Sequence, residues 1–435
     1  MINIRNIVKI IIPKSLFRKI EPIGHLVESV IMNIIFGFPS HKMHVIGVTG
    51  TNGKTTTTFL IHRMLHNSGL KVGMLSTVAY GIGDDIENQI EHMTTTKASI
   101  LQSRLRDFKR AGVEWVVLES SSHSLAQYRT WGIRYEIAVM TNVTNDHLDY
   151  HGTFSNYLEA KRRLFKIAAK FGRKFGVVNA DDPNAKLFLN TTPRSVSYGI
   201  KAGSLRANAI KLFADHSVYT AKINDDKYDI RINIPGEFNV SNSLAAVAVG
   251  REIGLSKNQI EKGIASLDGV EGRMTVVNEG QKFKVIIDFA STPDAFEKLF
   301  ESVRPLVKGK LVAVFGSAGR RDEAKRAIQG EIAGRYCDEV VLTEEDDRDI
   351  DGNKILAQIA EGVKKAGKVL DKNMFLVLDR EKAIKFAFGR VKESEDAVVL
   401  LGKGHEKTIE RADGEHPWRE IDVAKKALIS LKSKQ

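Results

Sequence analysis

One cysteine, Cys337, in 435 residues excludes an internal disulfide and fits a reducing compartment. There is no zinc-ligand spacing, no block of interleaved basic and aromatic residues and no helix-turn-helix pattern. The surplus of 65 basic over 53 acidic residues is therefore not read as a nucleic-acid footprint. No short-period repeat or low-complexity tract occurs, and no apolar run is long enough to span a bilayer: LVESVIMNIIFGF, at 26–38, is too short and carries Glu28. The opening stretch MINIRNIVKIIIPKSLFRKI is not a secretory signal. Pro13, Arg5, Lys9, Lys14, Arg18 and Lys19 interrupt its apolar residues, and no small-residue cleavage site follows. Two readings of that stretch stand: a helical pair covering the next domain, or a basic amphipathic segment making peripheral contact with a membrane surface.

What is present is an ordinary globular composition, 43% hydrophobic and 27% charged, in a chain long enough for two or three cores. The net charge of +12 suits anionic ligands. From Val45 onward short apolar runs alternate with helical patterns. HVIGVT, KVGMLS, EWVVLE, EIAVMTNV and FGVVNAD read as buried strands, with FLIHRMLHNSG and NYLEAKRRLFKIAAK as amphipathic helices. That alternation predicts an α/β fold with a mostly parallel sheet. Residues 205–235, with SVYTAKI and KYDIRINI, read as a small antiparallel insertion. After GVEGRM the alternation restarts with KVIIDFA, KLVAVFG, DEVVLTEE, MFLVLD and DAVVLLGKG, so a second α/β domain is expected from near Thr275.

Residues 45–59, VIGVTGTNGKTTTTF, place a glycine-bracketed turn between a strand and a helix. Glycines let backbone amides approach phosphate oxygens, Lys54 can neutralise the outer phosphates, and the Thr55 hydroxyl can ligate Mg²⁺. Val48 stands where the strict phosphate-loop spacing has its first glycine, and a tight turn without nucleotide is the alternative. Downstream, ESSSHSL at 119–125 and TNVTNDHLDYHG at 141–152 each follow an apolar strand, where open α/β sheets bind ligands. Glu119 and His147 there are either divalent-cation ligands or satisfied buried polar groups.

TGTNGKTT, E-x-SSH-x-L, DHLDYHG followed by YLEAKRRLF, NADD, PGEFNVSNSLAA, GRM, DFASTPDAF, GRRDEAKR and KGHE occur in the order found in Mur ligases. From about residue 44 to the C-terminus the chain resembles that family, in particular the members that add the third amino acid of the peptidoglycan stem peptide. The resemblance implies a central P-loop ATPase-type domain at 44–273, a C-terminal Rossmann-like domain at 274–435 and a short helical segment at 1–43. In the family the first domain grips the UDP-sugar and is far longer, so a reduced one is expected here. It further implies a cytoplasmic, monomeric ligase of cell-wall biogenesis, serving cell shape and division. Its substrates would be ATP, a nucleotide-sugar peptide and an amino acid, with Mg²⁺ and without nucleic acid.

Residue by residue, the resemblance implies that Gly50, Thr51, Asn52, Gly53, Lys54, Thr55, Thr56, Asn239, Asn242, Arg273 and Asp288 hold ATP. Thr55, Glu119, His147 and a carbamylated Lys161 hold the metal, and Lys54, Lys161, His147 and Glu119 serve catalysis. A carbamate would replace an ammonium that repels Mg²⁺ with anionic oxygens; the alternative for Lys161 is a solvated helix lysine. Thr94, Thr95, Ser122 and Arg129 face the acceptor, while Arg321, Lys325, Arg348, Gly402 and Glu406 surround the incoming amino acid. Ser291 and Phe289 stand where the family has histidine and tyrosine, and EDDR at 345–348 where diaminopimelate enzymes read DNPR. Retained Arg348 predicts meso-diaminopimelate; Glu344, Asp346 and Asp347 could equally hold a lysine ammonium. Rival expectations are another amide ligase of the superfamily, acting on folate, cyanophycin or a lipid-linked muramyl substrate, and a nucleotide-binding homologue without activity.

Overall fold

The computed structural model describes residues 14–89, 91 and 93–432; the basic residues Arg5 and Lys9 lie outside the described residues. Where a helical pair was expected, the described part holds one helix, Lys14–Phe36, and a short 3₁₀ turn, Pro39–Lys42. Ser29 Oγ donates to the Tyr128 carbonyl at 2.9 Å and Asn33 Nδ2 to the Trp131 carbonyl at 2.8 Å, fixing one face of this helix to the 128–132 loop.

Eleven strands form the first sheet. They are β1 (His44–Thr49), β2 (Val72–Leu75), β3 (Ala79–Ile82), β4 (Asp85–Asn88), β5 (Trp115–Glu119), β6 (Tyr135–Met140), β7 (Phe175–Asn179), β8 (Arg194–Gly199), β9 (Leu205–Leu212), β10 (Ser217–Ile223) and β11 (Asp226–Ile232). The spatial order is β11-β10-β9-β8-β7-β6-β1-β5-β2-β3-β4, and every neighbouring pair from β9 to β2 is parallel. β5 and β7 are buried at every position, as strands covered by helices on both faces must be. Leu60, Met64, Leu244 and Val247 of helices Lys54–Asn67 and Glu237–Ile253 cover one face; Leu101, Leu105, Leu164 and Phe165 of helices Ala98–Arg110 and Phe154–Ala168 cover the other. β9, β10 and β11 pair antiparallel as expected of the insertion, and they are continuous with the main sheet. β9 joins β8 in parallel, and β10 and β11 extend the same sheet.

The second sheet orders β12 (Thr275–Val277), β13 (Lys284–Asp288), β14 (Leu311–Phe315), β15 (Glu339–Leu342), β16 (Met374–Leu376) and β17 (Ala397–Leu401) as β12-β13-β17-β14-β15-β16, all parallel except β12. A hairpin of β18 (Thr408–Arg411) and β19 (Gly414–Pro417) follows. The loops leaving the carboxyl ends of β1, β5 and β6 in the first sheet, and of β13, β14, β15 and β17 in the second, supply the walls of one cleft of about 1310 Å³.

Candidate active site

β1 lies between β5 and β6, and its chain must turn sharply to enter helix Lys54–Asn67. Gly53 makes the turn at φ +81°, and a Cβ there would overlap Asn242 Oδ1, so only glycine fits. The loop is pinned from β6: Thr51 N donates to the Asn142 carbonyl at 2.8 Å, Asn52 N to Asn142 Oδ1 at 2.9 Å, and Thr141 Oγ1 to the Asn52 carbonyl at 2.6 Å. Gly53 caps the helix without a side-chain bond, leaving first-turn N–H groups open to an anion. Lys54 Nζ donates to the Thr51 carbonyl at 2.8 Å. Burial lowers its pKa against the pull of Glu119 and Asp146, so the site favours an added anion beside it.

Glu119 ends β5 and is buried. Its carboxylate accepts from Thr55 Oγ1 at 3.1 and 3.2 Å and from Thr77 N and Oγ1 at 2.9 Å each. Arg273, arriving from the link to the second sheet, donates to Thr55 Oγ1 at 3.3 Å. Across from them His147 opens the short helix Leu148–His151 at φ +53°. Its ring centroid lies 4.6 Å from that of His123, which is 5.3 Å from that of His151. Burial, then the charges of Lys161 and Lys54, hold His147 down to about 3; burial also holds His123 at about 2 and His151 at about 4. All three imidazoles are therefore neutral near pH 7 in the absence of a ligand.

Lys161 is not the solvated helix lysine of the alternative reading. Helix Phe154–Ala168 starts on Thr153, whose side chain accepts from Asn156 N, and buries Tyr157, Ala160, Lys161, Leu164, Phe165 and Ala168 at helical spacing. Lys161 therefore sits on the inward face, 4.4 Å from the Tyr157 ring centroid, with Nζ donating to the Gly50 carbonyl. Burial, then the neighbouring Lys54, drive its pKa well down, which favours the neutral amine, the form that carbamylation would require.

From the second sheet, Thr292 and Asp294 reach the phosphate loop. Asn52 Nδ2 donates to Asp294 Oδ2 at 2.7 Å and Thr292 Oγ1 at 3.3 Å. Asp288 accepts from Met274 N at 2.8 Å and Ala290 N at 2.7 Å, so its carboxylate fixes the backbone beside Arg273. Phe289 stacks its face under the Arg273 guanidinium at 4.7 Å and meets His405 at 4.8 Å between ring centroids; Ser291 offers its carbonyl to Lys325 Nζ at 2.8 Å.

At the far end of the cleft the acidic run is mostly paired. Arg411 grips Glu344 at 2.7 and 2.8 Å, and Lys403 bridges Asp346 at 2.7 Å and Glu406 at 2.5 Å. Glu344 and Asp346 are thus engaged and do not stand ready for an ammonium. Arg348, at φ +58°, donates through Nε to Glu410 at 2.7 Å and through Nη1 to the Gly319 carbonyl at 2.7 Å. Glu345 lines the cleft and lies so close over Gly402 that a Cβ there would overlap Oε2. Burial raises its pKa.

Two family models match this chain, the Mur ligase middle domain over residues 48–250 and the "Mur ligase, glutamate ligase domain" over 272–404. A UDP-N-acetylmuramyl-tripeptide synthetase of Roseiflexus sp. (strain RS-1) is 41% identical over 410 residues, covering 91% of this chain and 80% of that protein. This chain belongs to the Mur ligase family. A UDP-N-acetylmuramoyl-L-alanyl-D-glutamate--2,6-diaminopimelate ligase of Aquifex aeolicus (strain VF5) is 38% identical over 395 residues, 90% of this Mur ligase and 79% of the relative. A solved structure of a ligase of that same name superposes with a TM-score of 0.62 at 30% identity, over 90% of this chain and 79% of the other. Mycobacterium tuberculosis folylpolyglutamate synthase, solved with ADP and AMPPCP, shares the fold at a TM-score of 0.72 and 16% identity, over 93% and 95% of the two chains.

Of the residues singled out in the sequence of this Mur ligase, Thr51 to Thr56, Glu119, His147, Asn242, Arg273, Asp288, Thr94, Arg321, Lys325, Arg348 and Glu406 line the one cleft. Gly50, Lys161, Asn239 and Gly402 stand behind its wall, as do Thr95, Ser122 and Arg129. Asn239 accepts from Asn242 Nδ2 at 3.0 Å. Thr95 Oγ1 donates to the Glu119 carbonyl at 2.9 Å, Arg129 donates to the Thr95 carbonyl, and His151 Nε2 lies 3.1 Å from Ser122 Oγ. Of the four acceptor residues, Thr94 is the one whose side reaches the cleft. Thr77, Asn142, Asp294, Glu345 and Glu410 were not singled out. Asn142, Asp294 and Glu345 lay inside quoted motifs, whereas Thr77 reaches Glu119 only because β2 is placed beside β5.

Among the described residues no three of His, Cys, Asp and Glu converge as a metal cage. The donors that do converge, the Thr55 hydroxyl and Glu119 carboxylate, are hard oxygens of the kind Mg²⁺ takes alongside phosphates.

Proposed function

We propose that this Mur ligase joins an amino acid, meso-diaminopimelate, to UDP-N-acetylmuramoyl-L-Ala-D-Glu in peptidoglycan synthesis, cleaving ATP to ADP and phosphate. The domains would be 44–273, carrying the nucleotide, and 274–435, carrying the amino acid. The names of the relatives and the ADP and AMPPCP held by the folylpolyglutamate synthase support this reading. The observation that carries it is the gathering of two half-buried cations, Lys54 and Arg273, around a glycine turn whose helix N–H groups are uncapped. Only a polyanion relieves such a cluster.

ATP would lie with its outer phosphates on the Gly50–Thr56 turn. Lys54 and Arg273 offset the charge that grows as an oxygen of the acceptor carboxylate attacks the γ-phosphorus and the bond to the ADP oxygen breaks. The free amine of the incoming amino acid then attacks the acyl carbon, the carbon–oxygen bond to phosphate breaks, and the amine proton passes to solvent. Thr55, Glu119, His147 and a carbamate on Lys161 would hold Mg²⁺, which supplies further charge neutralisation on the phosphates. At the other end Arg348 takes the distal carboxylate of diaminopimelate, exchanging Glu410 for it, while Glu345 faces the distal ammonium.

ADP release measured over a panel of acceptors and amino acids tests the reading. Strong dependence on the muramyl dipeptide and preference for diaminopimelate are expected. Dependence on a folate, or turnover with neither, would overturn it, and a preference for lysine would overturn the choice of amino acid.

A further inference from the structure

One face of helix Lys14–Phe36 is left uncovered among the described residues. Ile20, Ile23, Val27, Ile31, Ile34 and Ile35 are all exposed, Ile34 and Ile35 by 63% each. At about 100° per residue these six fall within an arc of about 120°. Ser29 and Asn33, which tie the helix to the 128–132 loop, lie on the opposite side. The stripe is therefore the outward face of a helix already docked on the body of the protein. Among residues 20–36 of the helix the titratable side chains are Glu21, His25 and Glu28, with His25 Nδ1 3.5 Å from Glu28 Oε2. The chain that leads into the stripe is different: residues 1–20 contain Arg5, Lys9, Lys14, Arg18 and Lys19 and no acid. The adjoining helix Ala98–Arg110 adds exposed Lys109 and Arg110, and Arg106 stacks on Phe36 at 4.8 Å.

We infer that this face docks on the surface of an anionic lipid bilayer, with the isoleucines entering the acyl boundary and the preceding cations meeting the headgroups. Apolar area and basic charge together are what interfacial attachment requires. A second copy of the chain fits less well, since it would bring two such cationic segments together. Spanning is not involved: no described helix is long and apolar enough to cross a membrane. The site also has a consequence for access to the cleft. The 128–132 loop that the helix grips carries Arg129, which holds Thr95 beside Glu119, so the docked face lies behind the acceptor side of the cleft.

The test is flotation of the full chain with vesicles of phosphatidylglycerol mixed equally with phosphatidylcholine, against vesicles of phosphatidylcholine alone, with light scattering of the free protein. Binding to the anionic vesicles, weakened by salt and lowered about tenfold or more by the double variant Ile23→Glu, Ile31→Glu, is expected. Both positions face solvent, so the variant should keep its melting temperature and its ADP release with soluble acceptor, which separates this inference from the ligase reading. Absence of vesicle binding would overturn it. So would a dimer that the double variant dissociates, which would make the occupant a second copy. Vesicle binding that appears only after removal of residues 1–13 would overturn it too, because that segment would then be what covers the stripe.

Discussion

Lys161 occupies an inward position of an amphipathic helix, and that placement decides its chemistry. An ammonium there has the Gly50 carbonyl and the Tyr157 face for partners and Lys54 for a neighbour, so the neutral amine, the form from which the proposed carbamate would be made, is favoured. Lys161→Ala should lower kcat on the order of 10²-fold or more. Bicarbonate should fail to restore it, while a small carboxylate such as acetate restores part by entering the vacated volume. An alanine variant that keeps most of its activity would return Lys161 to a structural role. Glu406 gives the pH dependence. Burial pushes its carboxyl from 4.5 up to about 7, Asp346 adding to the rise and Lys403 opposing it. The raised value means that the free enzyme loses this proton only as pH climbs through about 7. If the carboxylate receives the incoming ammonium, kcat/KM for the amino acid should rise across that window, and Glu406→Gln should remove the limb. The same raised value weakens folding stability progressively as pH rises from 4.5 to about 7. The placement of Lys54, Glu119 and His147 was legible because each stands in a contiguous motif that follows a strand, and that of Lys161 because it stands in a helix motif between β6 and β7. Glu345 was not, because Lys403 and Arg411, which occupy its acidic neighbours, come from a loop and a hairpin far along the chain. The free carboxylate is known only by elimination in space.

Elements were legible where burial is two-sided. β1, β5, β6, β7, β13, β14, β15 and β17 read as apolar runs because helices cover both faces of the sheet. The outer strands β3 and β4 and the hairpin β18–β19 gave no such run, since half-buried residues interrupt β3 and β18 and exposed ones predominate in β4 and β19. The 205–235 region showed its alternation, but not that β9 would continue the main sheet, because pairing partners are not written in the local pattern. The glycine turn after β1 is the element on which the proposed nucleotide site depends. Gly53→Ala forces an L side chain to φ +81° and drives a methyl into Asn242, which costs about 1–3 kcal/mol locally. That should raise the KM for ATP roughly tenfold or more. Circular dichroism of the variant should match the wild type, and an unchanged KM would show that the turn does not hold the phosphates.

At the scale of the whole molecule, two parallel sheets turn their carboxyl ends toward one cleft, and few contacts cross between them at the phosphate loop: Asn52 with Thr292 and Asp294, and Arg273 with Thr55. The order of motifs along the chain implied this division, whereas the cross-cleft bonds required the folded geometry. In the proposed reading this arrangement brings the phosphate site and the amino-acid site to opposite ends of one space, with the acceptor side between them at Thr94. Its central claim is that a carboxylate is activated by phosphoryl transfer before the amine attacks. Supplying UDP-N-acetylmuramoyl-L-Ala-D-Glu with ¹⁸O in the reacting carboxylate, together with ATP and diaminopimelate, tests it by mass spectrometry of the products. The account predicts that each amide formed sends one labelled oxygen into the inorganic phosphate. Phosphate free of label, released alongside ADP, would contradict it.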